Sequence, residues 1–271
     1  MDGSTAVPRF SALLPVMVLN EQPARFRYAH RMFLRLLPLI AGLLPLVTVF
    51  SCYGIAIHTA GLPSCNPFID GCTSVSATGR YPPASFLFRA AMLPQSMLLA
   101  AYWLLSVAWF RALRGSAGQN PLAGATIGWF GVIGALFLIP YVTFLGTQEP
   151  FYEFMRRYGV YLYFLLNVIA QLILATRMLP VARRLQMPRL LLLTRMQLAL
   201  SWIPFALGAL NLVLKATLAD SDAAENRIEW VFAFLMQTYF VLSYFAWRET
   251  GFMVSFSTGS TGQQSDSHQK S

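Results

Sequence analysis

Few residues of this chain could make or break bonds, and most of them fall in one polar stretch, residues 58–85. It holds His58, Asp70 and the hydroxyls of Ser74, Ser76 and Ser85. A histidine base, an orienting carboxylate and a serine make a hydrolase only when a strained elbow presents the nucleophile, and no elbow sequence is present. Cys65 and Cys72 lie in the same stretch. They suit a disulfide in an oxidising compartment, or a zinc site completed by His58 and Asp70, which would need four well-spaced ligands. The disulfide is the expectation, with no metal and no cofactor. Glu149 and Glu153 stand one helical turn apart, as a carboxylate pair or as a solvated face balanced by Arg156 and Arg157. No residue is assigned a catalytic role.

Polar residues inside apolar runs carry more information, because hydrocarbon penalises them. These are Arg89, Gln95, Asn167, Gln171, Gln197, Asn211, Lys215, Glu229 and Gln237. Arg89, Lys215 and Glu229 fall near one boundary of their runs. Two readings stay open. In one, these side chains snorkel into water or tie helices together. In the other they line a cleft for a phosphate-bearing headgroup. Arg89 would then hold a phosphate or carboxylate through its planar fork, Glu229 would orient it, and Ser76 or Ser85 would share the cleft. The lipid-binding candidates are therefore Arg89, Glu229, Ser76, Ser85 and Lys215.

Composition says what must position these groups. Of 271 residues, 56% are hydrophobic and 11% charged, where a soluble domain carries about 25% charge. The sequence predicts an all-α polytopic membrane protein with six transmembrane helices, roughly 36–57, 86–110, 122–145, 158–178, 196–218 and 228–247, and a long first lumenal loop. It divides into a basic cytosolic segment, 1–35, a six-helix domain, 36–247, and a Ser- and Gly-rich disordered tail, 248–271. Within the first segment, Phe10–Leu19 is too short to span and reads as interfacial. Fourteen of twenty basic residues fall with the termini and loops 2 and 4, whereas seven of eleven acids fall with loops 1, 3 and 5. The positive-inside rule then makes the termini cytosolic and loop 1 lumenal or external; the compartment stays open. The net charge of +9 points to anionic lipid, not nucleic acid, as no nucleic-acid motif is present. Partners are membrane lipids, with other membrane proteins as a further class.

In the third span Gly124, Gly128, Gly131 and Ala135 share a stripe that would let two helix backbones approach. The loop before the second span is stiff: Gly79 permits a tight turn, Pro82 and Pro83 fix two φ angles, and Ser74, Ser76, Thr78 and Ser85 are available as caps. It is expected to fold against the bundle, anchored by Phe86 and Phe88, where the plainer alternative is a rigid connector.

The run from Ser76 through Gly79, Pro82, Pro83 and Ser85 to Phe88 resembles the first-loop signature of the DRAM (damage-regulated autophagy modulator) family, whose superfamily includes Sfk-type proteins and the PGAP- and Cwh-type GPI-lipid remodelling proteins. Ser74-Val75-Ser76, Phe88-Arg89 and Tyr102-Trp103 look like the remodelling branch, and Glu229-Trp230 with Tyr239, Ser243, Tyr244 and Phe245 looks like the family's last helix. Two departures stand out: Ala84 replaces a glutamate, and Arg156 and Arg157 stand where the family often has a histidine. The resemblance, over about residues 33–255, implies a role in autophagy, phospholipid organisation or GPI-lipid remodelling. The expectation is a non-enzymatic organiser or regulator of membrane lipids. The alternative is a remodelling enzyme, or its essential partner, acting on GPI-anchor or phospholipid acyl chains, and a channel or transporter comes third.

Overall fold

The computed structural model describes residues 27–120, 122–217 and 222–253, without the side chains of 27–33, 212 and 215. The chain forms two compact units. One is Met1–Leu34 with Met253–Ser271, of which only the helical turns at 27–34 and Met253 are described. The interfacial segment Phe10–Leu19 and the tail beyond Met253 lie outside the described residues. The other unit, Arg35–Phe252, carries the bundle.

Among the described residues the regular structure is all helix, with no strand. The helices are α1 (Arg27–Thr59), a single turn α2 (Val75–Thr78), α3 (Ala84–Ser116), α4 (Ala125–Thr143), α5 (Pro150–Arg184), α6 (Pro188–Thr217) and α7 (Asp222–Glu249). All but α2 are long and apolar enough to cross a membrane. In hydrocarbon no water satisfies a free N–H or C=O, so the apolar runs close their hydrogen bonds within helices. Internal prolines at 38, 45, 94, 140, 180 and 204 are accommodated inside them. In sequence order α3, α4, α5, α6 and α7 pack each against the next. Helix α1 joins through Gln95, whose Nε2 donates to the Ala41 carbonyl at 2.7 Å, and through Gly42, which faces the backbone of Gln237 and Val241.

Helices extend further than hydropathy alone predicts. The expected loop 146–157 is helical from Pro150, which suits the first helical position, and Glu153 sits in that first turn beside the positive end of the dipole. Its carboxylate pairs with Arg156 and Arg157 one turn on. The basic stretch between the fourth and fifth spans is likewise mostly helix. Arg183 and Arg184 end α5, where cations are favoured, and Arg189 and Arg195 lie in α6. Only three residues separate these helices, with Gln186 at φ 53° making the reversal.

The glycine stripe of α4 does not bring two backbones together. A Cβ on Gly131 would overlap the indole of Trp103, and one on Gly128 would lie 3.3 Å from Val107, so the stripe accepts side chains of α3. The close backbone approach is on the α5 side, where a Cβ on Gly159 would stand 2.7 Å from the Tyr141 nitrogen.

Candidate functional site

The first loop, residues 60–83, folds down onto the first turns of α7. Gly71 sits at φ 65°, a left-handed conformation, and a Cβ there would collide with the Ala223 carbonyl, so only glycine lets the loop come this close. Asn226 Nδ2 donates to the Gly71 carbonyl at 2.8 Å, and Trp230 Nε1 donates to the Thr73 carbonyl at 2.9 Å. Ser76 N–H donates to Glu229 Oε1 at 3.3 Å. Residues 223, 226, 229 and 230 recur at helical spacing, so one face of α7 receives the whole loop.

The loop has its own nucleus. Cys65 and Cys72 are joined in a disulfide. The Tyr53 hydroxyl of α1 donates to the Pro63 carbonyl at 2.8 Å and accepts from Cys65 N–H at 3.1 Å, so a buried side chain of the bundle replaces loop backbone partners. Asp70 accepts from Asn66 N–H within a turn, while His58 is exposed at the end of α1. The zinc reading thus loses both thiolates, and no hydrolase trio converges.

Of the capping hydroxyls, Ser74 caps α2 by accepting from Ala77 N–H at 3.1 Å. Ser85 does not cap: Pro83 holds that position, and the Ser85 hydroxyl is buried in α3 without a hydrogen-bond partner. Phe88 is fully buried, but Phe86 points outward at 64% exposure, so one ring and not two anchors the loop. Pro82 and Pro83 lie exposed beside it, joined by a cis peptide.

Arg89 and Glu229 take different places. Arg89 Nη2 donates to the Leu145 carbonyl at 2.7 Å, just beyond the end of α4. Among the described residues this carbonyl, and not Glu229, is its hydrogen-bond partner; the orphan carbonyls that follow a helix C-terminus attract a cation. Glu229 forms no ion pair with Arg89 among the described residues. It faces the first N–H groups of α2 and lies within electrostatic reach of Arg80. The structure therefore brings Glu229 to Ser76, ties Arg89 of α3 to the Leu145 carbonyl beyond α4, and does not describe the side chain of Lys215.

Beneath the loop lies an apolar cavity of about 40 Å³. Its walls come from α1 (Pro45, Phe50), α3 (Phe88), α7 (Trp230, Phe234) and the roof residue Val75 of α2, with Phe68 from the loop. Phe50 and Phe234 are each 44% exposed, so the cavity opens outward between α1 and α7. Its floor is polar at one point: Gln237, buried, donates through Nε2 to the Tyr163 hydroxyl at 3.5 Å, and its Oε1 has no partner. Tyr141 also lines the wall and lies within reach of Glu229, Arg80 and Arg156. Phe88 and Trp230 carried a signal through the family resemblance and Gln237 as a polar residue in a span, whereas the other aromatic members looked like ordinary core.

Deeper polar residues hold the bundle together. Trp103 Nε1 donates to Asn167 Oδ1 at 2.8 Å, linking α3 to α5. Tyr102 and Gln197 meet at the Ser243 hydroxyl, linking α3, α6 and α7. Gln171 Nε2 donates to the Met236 carbonyl, linking α5 to α7.

No curated protein and no solved structure matches the chain. The model of the Frag1/DRAM/Sfk1/Cwh43P N-terminal domain family matches residues 33–249, from the body of α1 to the last residue of α7. That range covers all six membrane-crossing helices and the first loop with its site on α7, so the chain is a multi-pass membrane protein belonging to the Frag1/DRAM/Sfk1/Cwh43P N-terminal domain family.

Proposed function

We propose that the protein binds and organises membrane lipids without chemically altering them, with the cavity beneath the first loop as its lipid-facing site. The observation that carries this reading is the cavity's lateral opening. A soluble substrate would enter past the loop, but Val75 and the contacts from Gly71 to Ser76 close that side. The gap between Phe50 and Phe234 faces outward from the bundle, where a bilayer would supply lipid. Glu229 takes the backbone N–H of Ser76, whose hydroxyl pairs with that of Ser74, an arrangement that suits holding the loop.

The charge asymmetry supports an orientation with cytosolic termini and with loop 1 on the opposite face. Lipids are the partners in this reading, and the family resemblance to lipid-organising proteins agrees with it. Lipid analysis of cells lacking the protein tests the proposal. Lipids that keep their acyl chains and headgroups but change leaflet or compartment support an organiser. A defined change in acyl chains, in GPI anchors or phospholipids, assigns the chain to remodelling instead.

A further inference from the structure

The wall of the cavity distinguishes between the parts of a lipid. Acyl chains are matched by branched aliphatic side chains, yet eight of the fifteen residues lining this cavity are aromatic, against 14% in the whole chain. At the mouth the rings are tilted and not stacked. Trp230 stands 5.5 Å from Phe68 at 62° and 5.5 Å from Phe50 at 44°, and Phe68 meets Phe234 at 6.1 Å and 87°. Rings set at an angle to one another, unlike a stack, can offer electron-rich faces to a single group, which favours a positively charged group over a neutral one.

The charges beside the mouth have a matching order. Glu229 accepts from the N–H of Ser76, the neighbour of Val75 in the roof, and lies within electrostatic reach of Tyr141 of the wall, so its carboxylate stands behind the lining on the roof side. Arg80 lies within reach of the same carboxylate, and Arg80 and Arg156 both reach Tyr141 of the wall. A negative charge beside aromatic faces, with guanidinium groups close by, complements a zwitterion whose cation is poorly hydrated and whose anion is a phosphate. Trp230 is two residues into the apolar run that begins at Ile228, and the roof belongs to the loop, so the roofed end of the cavity lies near headgroup level and the gap between Phe50 and Phe234 continues from it along the helices.

We propose that the mouth of this cavity is a binding site for a phosphocholine-type headgroup. Its trimethylammonium group rests against Phe50, Phe68, Trp230 and Phe234, with Glu229 as counter-charge and its phosphate on the side of Arg80. The enclosed space of about 40 Å³ takes part of the ammonium group, and the rest lies between Phe50 and Phe234. This inference rests on the lipid-binding reading above and specifies the lipid by its headgroup.

The test uses the full chain in a neutral maltoside detergent, titrated with two soluble short-chain lipids, dihexanoyl-phosphocholine and dihexanoyl-phosphoglycerol, and followed by tryptophan fluorescence. Phosphocholine is expected to bind saturably, with phosphoglycerol at least about tenfold weaker. Phe50→Leu and Phe234→Leu remove ring faces from partly exposed positions, and each should weaken phosphocholine binding about tenfold while leaving the unfolding midpoint unchanged. Glu229→Gln should weaken it in the same direction. Equal binding of both lipids, or unchanged phosphocholine binding in both leucine variants, overturns the headgroup assignment and leaves lipid binding standing. Absence of binding by either lipid overturns both.

Discussion

The indole N–H of Trp230 donates to the carbonyl of Thr73 at 2.9 Å, joining the start of the last helix to the middle of the first loop across 157 residues of sequence. Trp230 is buried, and the same ring lines the cavity, so one side chain both fixes the roof and forms the wall. Trp230→Phe keeps a ring and removes the donor. The Thr73 carbonyl is then left unsatisfied, at a cost of about 1–3 kcal/mol. The variant should unfold at lower temperature, and trypsin should cut at Arg80 faster than in the wild type. Unchanged cleavage would mean that the loop is held elsewhere.

The Cys65–Cys72 bridge closes a short loop around the Tyr53 hydroxyl. Both thiols should resist alkylation in denaturant until a reductant is added, whereas Cys52, buried and free, should react under denaturing conditions alone. Cys65→Ser with Cys72→Ser should cost about 2 kcal/mol of stability, on the chain-entropy account of a small loop. Free labelling of all three thiols without reductant would contradict the bridge.

Arg89 is a tie between α3 and the end of α4 through the Leu145 carbonyl. Arg89→Ala should lower the yield of folded protein. Arg89→Lys should recover part of it, since an ammonium can reach one carbonyl but lacks the rigid fork. Headgroup binding by whatever folded Arg89→Lys is obtained should match the wild type. A variant that folds normally but loses lipid binding would return Arg89 to the site.

Gly131 faces the Trp103 indole, whereas Gly208 in α6 has nothing within 4 Å of its would-be Cβ. Gly131→Ala should therefore destabilise by about 1–3 kcal/mol through overpacking. Gly208→Ala should be neutral or slightly stabilising, because alanine loses less backbone freedom in a helix. Thermal unfolding in detergent compares them directly, and equal midpoints would contradict the α3–α4 packing.

The number and order of the spans were legible because each is a long apolar run, and the family signature was legible in Gly79, Pro82, Pro83 and Phe88. Helix ends were less so. Glu153 and Arg183 read as loop by polarity, yet an acid in the first turn and a base in the last turn of α5 suit its dipole and extend it. The site was half legible. Glu229 and Ser76 could be named as polar residues near one boundary, but their hydrogen bond depends on how the loop lies across α7. The bond of Arg89 was not legible for the same reason, since no sequence pattern shows that its nearest orphan acceptor is the Leu145 carbonyl. Tyr141, Tyr163 and Phe68 gave no signal, because an aromatic in an apolar run or beside it looks the same whether it fills a core or walls a cavity.

Lipid retention by the cavity tests the account most directly. Ala233 lines the wall, and Ala233→Val adds two methyl groups that occupy the cavity with little change to the bundle. Native mass spectrometry of protein released from its own membranes into a mild detergent should show one lipid retained per wild-type chain. The Ala233→Val chain should lose it at an unchanged unfolding midpoint. No retained lipid on the wild type, or equal retention by both chains, would contradict the claim that this cavity holds a lipid.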